Sequence, residues 1–318
     1  MSSHRIVNRL QRDSALEREA LLAGLFAQPA SIPPKYFYDE LGCALFGAIC
    51  ELAEYYPTRI EVAIFRERRV DIAQAMGTGK QLVDLGAGDC AKAASWLPCL
   101  QPRRYLAVDI AQAPINKALS ALAPEFPDIE MLGVVTDFAR ALDLHDDLAT
   151  GIPVTFFYPG SSVGNFSPHE ALHFLRQVHA HCTVPGSGLL IGVDAKKDKR
   201  VLEAAYDDAV GVTAAFNRNV LAHVNRLVGA DFQPAAFAHR GLYDDAAGRI
   251  EMHLEATAAQ QVTIAGRIRK FDAGERIHTE NSYKYAPAEF EALLIEAGFA
   301  RTTLWQDAQK WFSVFYAE

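Results

Sequence analysis

The sequence predicts an α/β fold in which a parallel β-sheet is covered by helices on both faces, with a second, smaller α+β region joined to it. Two observations carry this prediction. From about residue 81 to residue 194, short apolar runs rich in β-branched residues alternate with helical segments, as in successive βαβ units. Between about residues 199 and 283 the alternation gives way to a long helical stretch and to segments of alternating apolar and polar residues.

The predicted elements follow in a regular order. Residues 1–60 are expected to be helical, with an interruption at the prolines of 29–34, because leucines recur at helical spacing. The next strands are predicted at 81–85, 104–108, 129–135, 154–157 and 189–193. Helices are predicted between them at 91–100, 113–122 and 169–181, and a further helical stretch ends at about residue 228. The last elements are antiparallel strands at 249–257 and 261–267, a helix at 287–297 and a strand hairpin of 301–306 with 311–316.

The interruption of the βαβ series predicts two lobes, one of them discontinuous in sequence. The sheet lobe is expected to comprise residues 61–198 and 284–318, because the helix and hairpin at the end resume the series. Residues 1–60 and 199–283 are expected to pack together as the second lobe.

Composition excludes several classes of protein. The 31 lysines and arginines against 39 aspartates and glutamates give a net charge of −8, which offers no basic footprint for nucleic acid. Half of the chain is hydrophobic, so disorder is not expected, and no apolar run is long enough to span a membrane or act as a secretion signal. Five cysteines without a C-x-x-C pair indicate neither disulfides nor a zinc ribbon, and a cytoplasmic location is expected.

A glycine-rich turn is the most informative segment. The apolar strand that ends at Leu85 runs into Gly86 and Gly88, and a helix follows; such a turn lets a ligand approach the backbone and the N-terminus of the helix. Asp109, 21 residues after Gly88, ends the next strand and suits a ribose, and Asp137 beside a phenylalanine suits an adenine. The turn alone fits a dinucleotide or S-adenosylmethionine.

A different pattern, HEALH at 169–173, fits the H-E-x-x-H zinc motif. Ser167 and Pro168 directly before it are typical of a helix N-cap and first turn, and no convincing third ligand follows. We therefore expect an ordinary helix start and no metal site.

The glycine turn on the first strand of the series, the acidic strand ends and the terminal hairpin together resemble the class I S-adenosylmethionine-dependent methyltransferases, whose fold is Rossmann-like. In that comparison Lys92 corresponds to a partner for the methionine carboxylate, although a solvated surface lysine fits the residue equally well. Longer strings resemble the histidine-specific N-methyltransferases of ergothioneine biosynthesis, over nearly the whole chain. These strings are PPKYFYDELG at 33–42, EYYPTR at 54–59, YPGSSVGNF at 158–166, YDD at 206–208, FNRN at 216–219 and HTENS at 278–282.

This resemblance implies a monomeric, two-lobed enzyme that methylates the α-amino nitrogen of L-histidine three times to form hercynine. It implies substrate contacts for seven residues: Asn165 and Tyr206 at the amino and carboxylate ends, Tyr38 and Tyr55 (or Tyr56) as pocket aromatics, Met252 at the ring end, and Glu280 and Ser282 on the imidazole. The implied cofactor contacts are Gly86, Gly88, Lys92, Asp109 and Asp137.

The expected chemistry is positioning without a dedicated catalytic acid or base, because the methyl donor is already activated. Two alternatives stay open at this point. The enzyme could act on another aromatic amino acid, such as tryptophan or a derivative, or the chain could be a non-catalytic S-adenosylmethionine-binding scaffold.

Overall fold

The computed structural model describes residues 4–10 and 14–318. Its strands are β1 (Arg5–Asn8), β2 (Ala30–Ser31), β3 (Gln81–Leu85), β4 (Arg104–Asp109), β5 (Glu130–Val135), β6 (Val154–Tyr158), β7 (Gly188–Asp194), β8 (Phe237–Asp244), β9 (Arg249–Ala256), β10 (Gln260–Ile264), β11 (Arg267–Phe271), β12 (Arg276–Tyr283), β13 (Thr302–Gln306) and β14 (Phe312–Ala317). Its α-helices are α1 (Ser14–Phe26), α2 (Glu40–Cys50), α3 (Tyr56–Glu67), α4 (Arg69–Met76), α5 (Ala91–Ala94), α6 (Leu97–Leu100), α7 (Gln112–Glu125), α8 (Pro168–His181), α9 (Lys199–Tyr206), α10 (Val212–Val228) and α11 (Pro287–Ala297).

These elements form two compact units. The first unit comprises residues 4–10, Ile60–Ala195 and Tyr285–Glu318, and the second comprises residues 14–59 and Lys196–Lys284. Each unit therefore draws on segments that are far apart in the sequence.

The first unit is built on one sheet with the strand order β1-β5-β4-β3-β6-β7-β14-β13. The first six strands in this order, β1, β5, β4, β3, β6 and β7, are parallel to their neighbours. Strand β14 runs antiparallel to both β7 and β13. Every residue of β3, β6 and β7 is buried, as expected of central strands with helices on both faces. The α/β class predicted from the sequence is confirmed, and so is the terminal hairpin.

The second unit holds a smaller sheet with the order β2-β12-β9-β8, and β10 and β11 form a separate antiparallel hairpin. Buried and more accessible residues alternate along β8 and β9, as expected of half-buried antiparallel strands. Helix α10 packs against α2 and β8. Glu280 of β12 and Met252 of β9 are paired in this sheet, so their side chains lie on the same face of it.

Four predictions about elements are corrected. Residues 5–8 were expected to be helical and outside the sheet, but they form β1 and pair with β5 in the first unit. The single helix predicted at 91–100 is two short helices, because Pro98 lacks the N–H that a continuous helix would need there. Strands β2, β8, β11 and β12 are not among the predicted elements. The strand expected at 261–267 ends at Ile264, because residues 265 and 266 both have positive φ and form a turn.

No α-helix among the described residues combines the length and the apolar character needed to cross a lipid bilayer.

Candidate functional site

The glycine turn that follows β3 is held open by a carboxylate from the next strand. Gly86 and Gly88 have φ values of 69° and 53°, a region that residues with a side chain rarely adopt. Asp109, the last residue of β4, accepts hydrogen bonds from the backbone N–H of Gly88 and of Ala111, each at 2.9 Å. A Cβ atom built on Gly88 would meet no atom within 4 Å, so there is open space directly against this backbone.

A second carboxylate and an aromatic ring lie at the same edge of the sheet. Asp137 comes two residues after the end of β5, which pairs in parallel with β4, so its backbone and that of Asp109 leave the sheet at neighbouring carboxyl ends. The ring of Phe138 would be 3.8 Å from a Cβ on Gly86 and packs edge-on against Tyr158. The glycine turn, Asp109, Asp137 and Phe138 thus follow the carboxyl ends of three neighbouring parallel strands, β3, β4 and β5.

Lys92 is engaged by a buried glutamate that the sequence analysis did not identify. The Lys92 ammonium lies 2.7 Å from one carboxylate oxygen of Glu61, whose side chain is completely buried, and the other oxygen accepts the N–H of Gly160 at 2.6 Å. The sequence does carry a signal for Glu61. It lies three and four residues before the buried Ile64 and Phe65, on the apolar face of α3, where a charged residue needs a partner.

A buried acidic side chain lies on β3, two residues before Gly86 of the glycine turn. Asp84 on β3 is buried and accepts a hydrogen bond from the Tyr105 hydroxyl at 2.8 Å. Burial raises the pKa of Asp84 to about 7, although the hydrogen bond from Tyr105 opposes the rise. The pair links β3 to β4 directly below the glycine turn.

In the second unit, one face of the β12–β9 pair carries the residues expected to bind the imidazole. Every second position from Glu280 onward carries a polar side chain: Glu280, Ser282 and then Lys284, which directly follows β12. Met252 of β9 is paired with Glu280. All four side chains are buried. Burial raises the pKa of Glu280 to about 7, and the positive charge of Lys284 opposes that rise.

Tyr206, at the end of α9, joins this face through its hydroxyl. The hydroxyl lies 2.8 Å from the Ser282 hydroxyl, and the Lys284 ammonium donates to both oxygens, at 3.0 Å and 2.8 Å. The backbone carbonyl of Tyr206 is held as well. His239 lies 2.7 Å from it, and a Cβ on Gly241 would come within 2.6 Å of the same oxygen.

The remaining aromatic residues form a cluster in the same unit. The rings of Tyr38 and Tyr55 both pack edge-on against Phe46, and Tyr38 also contacts Phe216. Tyr55 packs edge-on against Tyr206 with ring centres 6.1 Å apart.

Tyr56, the alternative to Tyr55 in the sequence analysis, is engaged elsewhere. Its hydroxyl accepts a hydrogen bond from Lys197 at 2.6 Å, and the Lys197 ammonium lies 4.3 Å from the ring centre. The structure therefore brings Tyr38, Tyr55, Tyr206, Met252, Glu280 and Ser282 together in the second unit.

Asn165 lies in the first unit, as do the five residues expected to bind the cofactor. It ends a short 3₁₀ turn, Ser162–Asn165, that follows two residues with positive φ, Gly160 and Ser161. The Ser161 hydroxyl accepts the backbone N–H of Asp194 at 2.8 Å and so ties this loop to β7. Within the described part of the chain, the Asn165 side-chain amide makes no hydrogen bond to protein.

The zinc-like pattern has a structural explanation. Ser167 caps α8 by accepting the N–H of Glu170, and the Glu170 carboxylate accepts the N–H of Ser167 in return, a complete capping box with Pro168 in the first turn. The prediction of an ordinary helix start is confirmed.

A different trio, Asp143, His145 and His181, brings possible ligand atoms within 4.8 Å of one another. Both ring nitrogens of the buried His181 are already hydrogen-bonded to backbone atoms, namely the N–H of Leu144 and the carbonyl of Gln177. We assign no metal to this trio.

The strand order resolves the choice between a dinucleotide and S-adenosylmethionine. In the dinucleotide-binding fold the sheet continues with a parallel sixth strand, whereas here the antiparallel β14 is inserted beside β7, and β13 forms the edge. With the glycine turn on β3 and a carboxylate ending β4, this is a class I S-adenosylmethionine-dependent methyltransferase.

Comparison with known proteins defines the family within that class. Residues 17–318 match the family described as histidine-specific methyltransferase, SAM-dependent, and the chain belongs to it. It is 41% identical over 310 residues to the histidine N-alpha-methyltransferase of Mycolicibacterium smegmatis and 38% identical over 311 residues to that of Mycobacterium tuberculosis, in each case covering 95% of both chains. It is 29% identical over 285 residues to the ergothioneine biosynthesis protein 1 of Neurospora crassa, covering 87% of this chain and 32% of that protein.

Proposed function

We propose that this protein transfers three methyl groups from S-adenosylmethionine to the α-amino nitrogen of L-histidine and so forms hercynine, a step of ergothioneine biosynthesis. Family membership and the names of the two mycobacterial relatives support the reaction. The observation that carries the choice of amino acid is the buried pair of Glu280 and Ser282 on one face of β12.

The cofactor is assigned to the first unit. The open space against Gly88 and the carboxylate of Asp109 fit a nucleoside whose ribose hydroxyls donate to that carboxylate, and Asp137 fits the exocyclic amine of the adenine. Lys92 is assigned to the methionine carboxylate, held in place by Glu61. Bound S-adenosylmethionine supplies an activated methyl group, so the protein has to provide position and a dry surrounding.

The substrate nitrogen must offer a lone pair, which means that it must be unprotonated. We assign Asn165 and Tyr206 to the polar ends of the amino acid. An amide and a phenol hold an amine by hydrogen bonds without stabilising its ammonium form as a carboxylate would. They also leave room for a nitrogen that gains methyl groups one after another.

The imidazole is assigned to Glu280 and Ser282, with Met252, Tyr38 and Tyr55 around the ring. A carboxylate accepts the ring N–H, and a hydroxyl donates to the other ring nitrogen. Amino acids whose ring has no such groups would leave the buried Glu280 carboxylate without a donor and the Ser282 proton without an acceptor, at a cost of about 1–3 kcal/mol each.

The test is incubation of the purified protein with S-adenosylmethionine and, separately, L-histidine, L-tryptophan and L-tyrosine, followed by mass spectrometry of the products. We expect trimethylated histidine and no methylated tryptophan or tyrosine. The absence of trimethylated histidine would refute the proposal, and a methylated tryptophan in its place would establish the alternative substrate.

A variant separates the two halves of the proposal. Glu280→Ala should weaken the binding of histidine by at least about tenfold and leave the binding of S-adenosylmethionine unchanged, because the lost hydrogen bond involves a charged group. Glu251→Ala, which removes a carboxylate from a neighbouring position of the same strand pair, is the matched control. Equal losses for both ligands would contradict the role of Glu280.

We further propose that the enzyme works as a monomer in the cytoplasm. Its five cysteines are all free, as expected in a reducing compartment. Size-exclusion chromatography with light scattering gives the mass in solution, and a dimeric mass would refute the monomer.

A further inference from the structure

Lys284 is a buried lysine beside Ser282 in the proposed imidazole site, and no motif in the sequence indicates a role for it. It is 1% exposed and follows β12 directly. Its ammonium donates to the hydroxyls of Tyr206 and Ser282, which are themselves 2.8 Å apart. The three polar groups form a closed triangle.

Counting hydrogens in this triangle determines what Ser282 can offer to a ligand. An ammonium group has donors and no acceptor, so both hydroxyl oxygens must accept from Lys284. Between the two hydroxyls, the phenol of Tyr206 is the more acidic and therefore the better donor. Ser282 then accepts hydrogen bonds from Lys284 and from Tyr206, which occupies both lone pairs of its oxygen. Only its own proton remains available for a hydrogen bond to a ligand.

We propose that Lys284 is a positioning residue for substrate specificity: it fixes the Ser282 hydroxyl as a donor, so that the site selects a neutral imidazole with a lone pair toward Ser282 and an N–H toward Glu280. This inference rests on the proposed histidine methylation and deepens it. It adds a defined protonation state and a single tautomer of the bound ring.

The electrostatics of the site agree with this assignment. The charge of Lys284 opposes the rise in the pKa of Glu280 that burial causes, and so favours the carboxylate that accepts an N–H. A doubly protonated imidazolium would present an N–H to a serine oxygen that has no free lone pair. A ring without nitrogen would leave the Glu280 carboxylate without a donor and the Ser282 proton without an acceptor.

The variant test compares two ligands of nearly equal shape. L-Histidine and 3-(2-thienyl)-L-alanine both carry a five-membered ring, but the thiophene has no N–H and no strong acceptor. Their dissociation constants are measured by calorimetry for wild type and for Lys284→Met, with S-adenosylhomocysteine present. We expect histidine to bind about tenfold more weakly to the variant, as for the loss of one well-placed hydrogen bond, and thienylalanine to change by less than about threefold.

Two further variants serve as controls. Arg249→Met removes a cation from the same strand pair, at a residue that instead bonds to Glu251 and Tyr283, and should leave both constants unchanged. In a Ser282→Ala background, Lys284→Met should cause no further loss of discrimination, because it acts through the serine. Equal weakening of both ligands by Lys284→Met would show a structural role alone and overturn the proposal.

A measurement on the wild-type protein does not depend on the folding of any variant. Histidine labelled with ¹⁵N in the ring is bound at about pH 6, below the usual imidazole pKa of about 6.5, and its ¹⁵N spectrum is recorded. We expect one protonated and one unprotonated nitrogen in a single tautomer; two protonated nitrogens would overturn the inference. Wild-type protein that binds histidine no more tightly than thienylalanine would instead contradict the proposed function.

Discussion

Replacing Glu280 by glutamine isolates the cost of burying a carboxylate on β12. Glu280 is 8% exposed, and burial raises its pKa from 4.5 to about 7 even though Lys284 opposes the rise. Each pKa unit corresponds to about 1.4 kcal/mol, so the ionised side chain destabilises the folded protein by roughly 3 kcal/mol. Glutamine has nearly the same shape and no charge to bury.

The raised pKa of Glu280 determines how the stability difference between Glu280→Gln and wild type changes with pH. Below about pH 4.5 the carboxyl group is protonated in the folded and the unfolded chain, and its ionisation costs nothing. Between pH 4.5 and about 7 the folded chain keeps a proton that the unfolded chain has released, so the stability of the wild type falls as the pH rises. The stability of Glu280→Gln relative to wild type should therefore increase by about 3 kcal/mol between about pH 4.5 and pH 8.5.

The assay is urea unfolding followed by far-UV circular dichroism at both pH values. Glu251→Gln is the control with the opposite sign: burial works against it, but hydrogen bonds from Arg249 and His253 hold the pKa of Glu251 below its usual value. The Glu251 carboxylate stabilises the fold at neutral pH and loses this effect in acid. The free energy of unfolding of Glu251→Gln should therefore fall furthest below that of wild type at high pH. A Glu280→Gln advantage that is the same at both pH values would refute the reasoning.

Three further outcomes are expected. Lys92→Met should destabilise the protein by about 2 kcal/mol in urea unfolding, because the buried Glu61 loses its partner, and the additional change Glu61→Gln should restore most of the loss. Gly88→Ala should weaken S-adenosylmethionine binding about tenfold or more in calorimetry, since its Cβ enters the open space, whereas Gly266→Ala has a similar positive φ and should not affect binding. Tyr55→Phe should raise the KM for histidine, because Tyr55 packs against Tyr206 in the proposed pocket. Tyr56→Phe should not, because the Tyr56 hydroxyl bonds to Lys197 instead; equal KM values for the two variants would contradict the assignment of Tyr55.

The central sheet could be predicted from the sequence because its signals are local. An apolar strand, a turn that only glycines adopt easily and a carboxylate at the end of the next strand are each visible within a few residues. The capping box before α8 is equally local, since Ser167 and Glu170 satisfy each other's backbone.

What could not be predicted depends on contacts between distant residues. Strand β1 has four residues and exists through its pairing with β5, which begins more than a hundred residues later. Glu61 and Lys284 are charged side chains, for which a surface position is the ordinary expectation, and they are buried because partners from other elements satisfy them. Their partners Lys92 and Tyr206 are 31 and 78 residues away.

The pairing of β2 with β12 also has a consequence for how the chain is synthesised. Ala30 lies beside Ile277 in the finished sheet, so the early segment leaves the ribosome long before its neighbour has been translated. Helix α2 must likewise wait for α10, whose Phe216 packs against Phe46 of α2. Nascent chains of this protein therefore expose apolar surface for most of translation, and their yield in cells should depend on chaperones that bind such surface and on the rate at which residues 196–284 are completed.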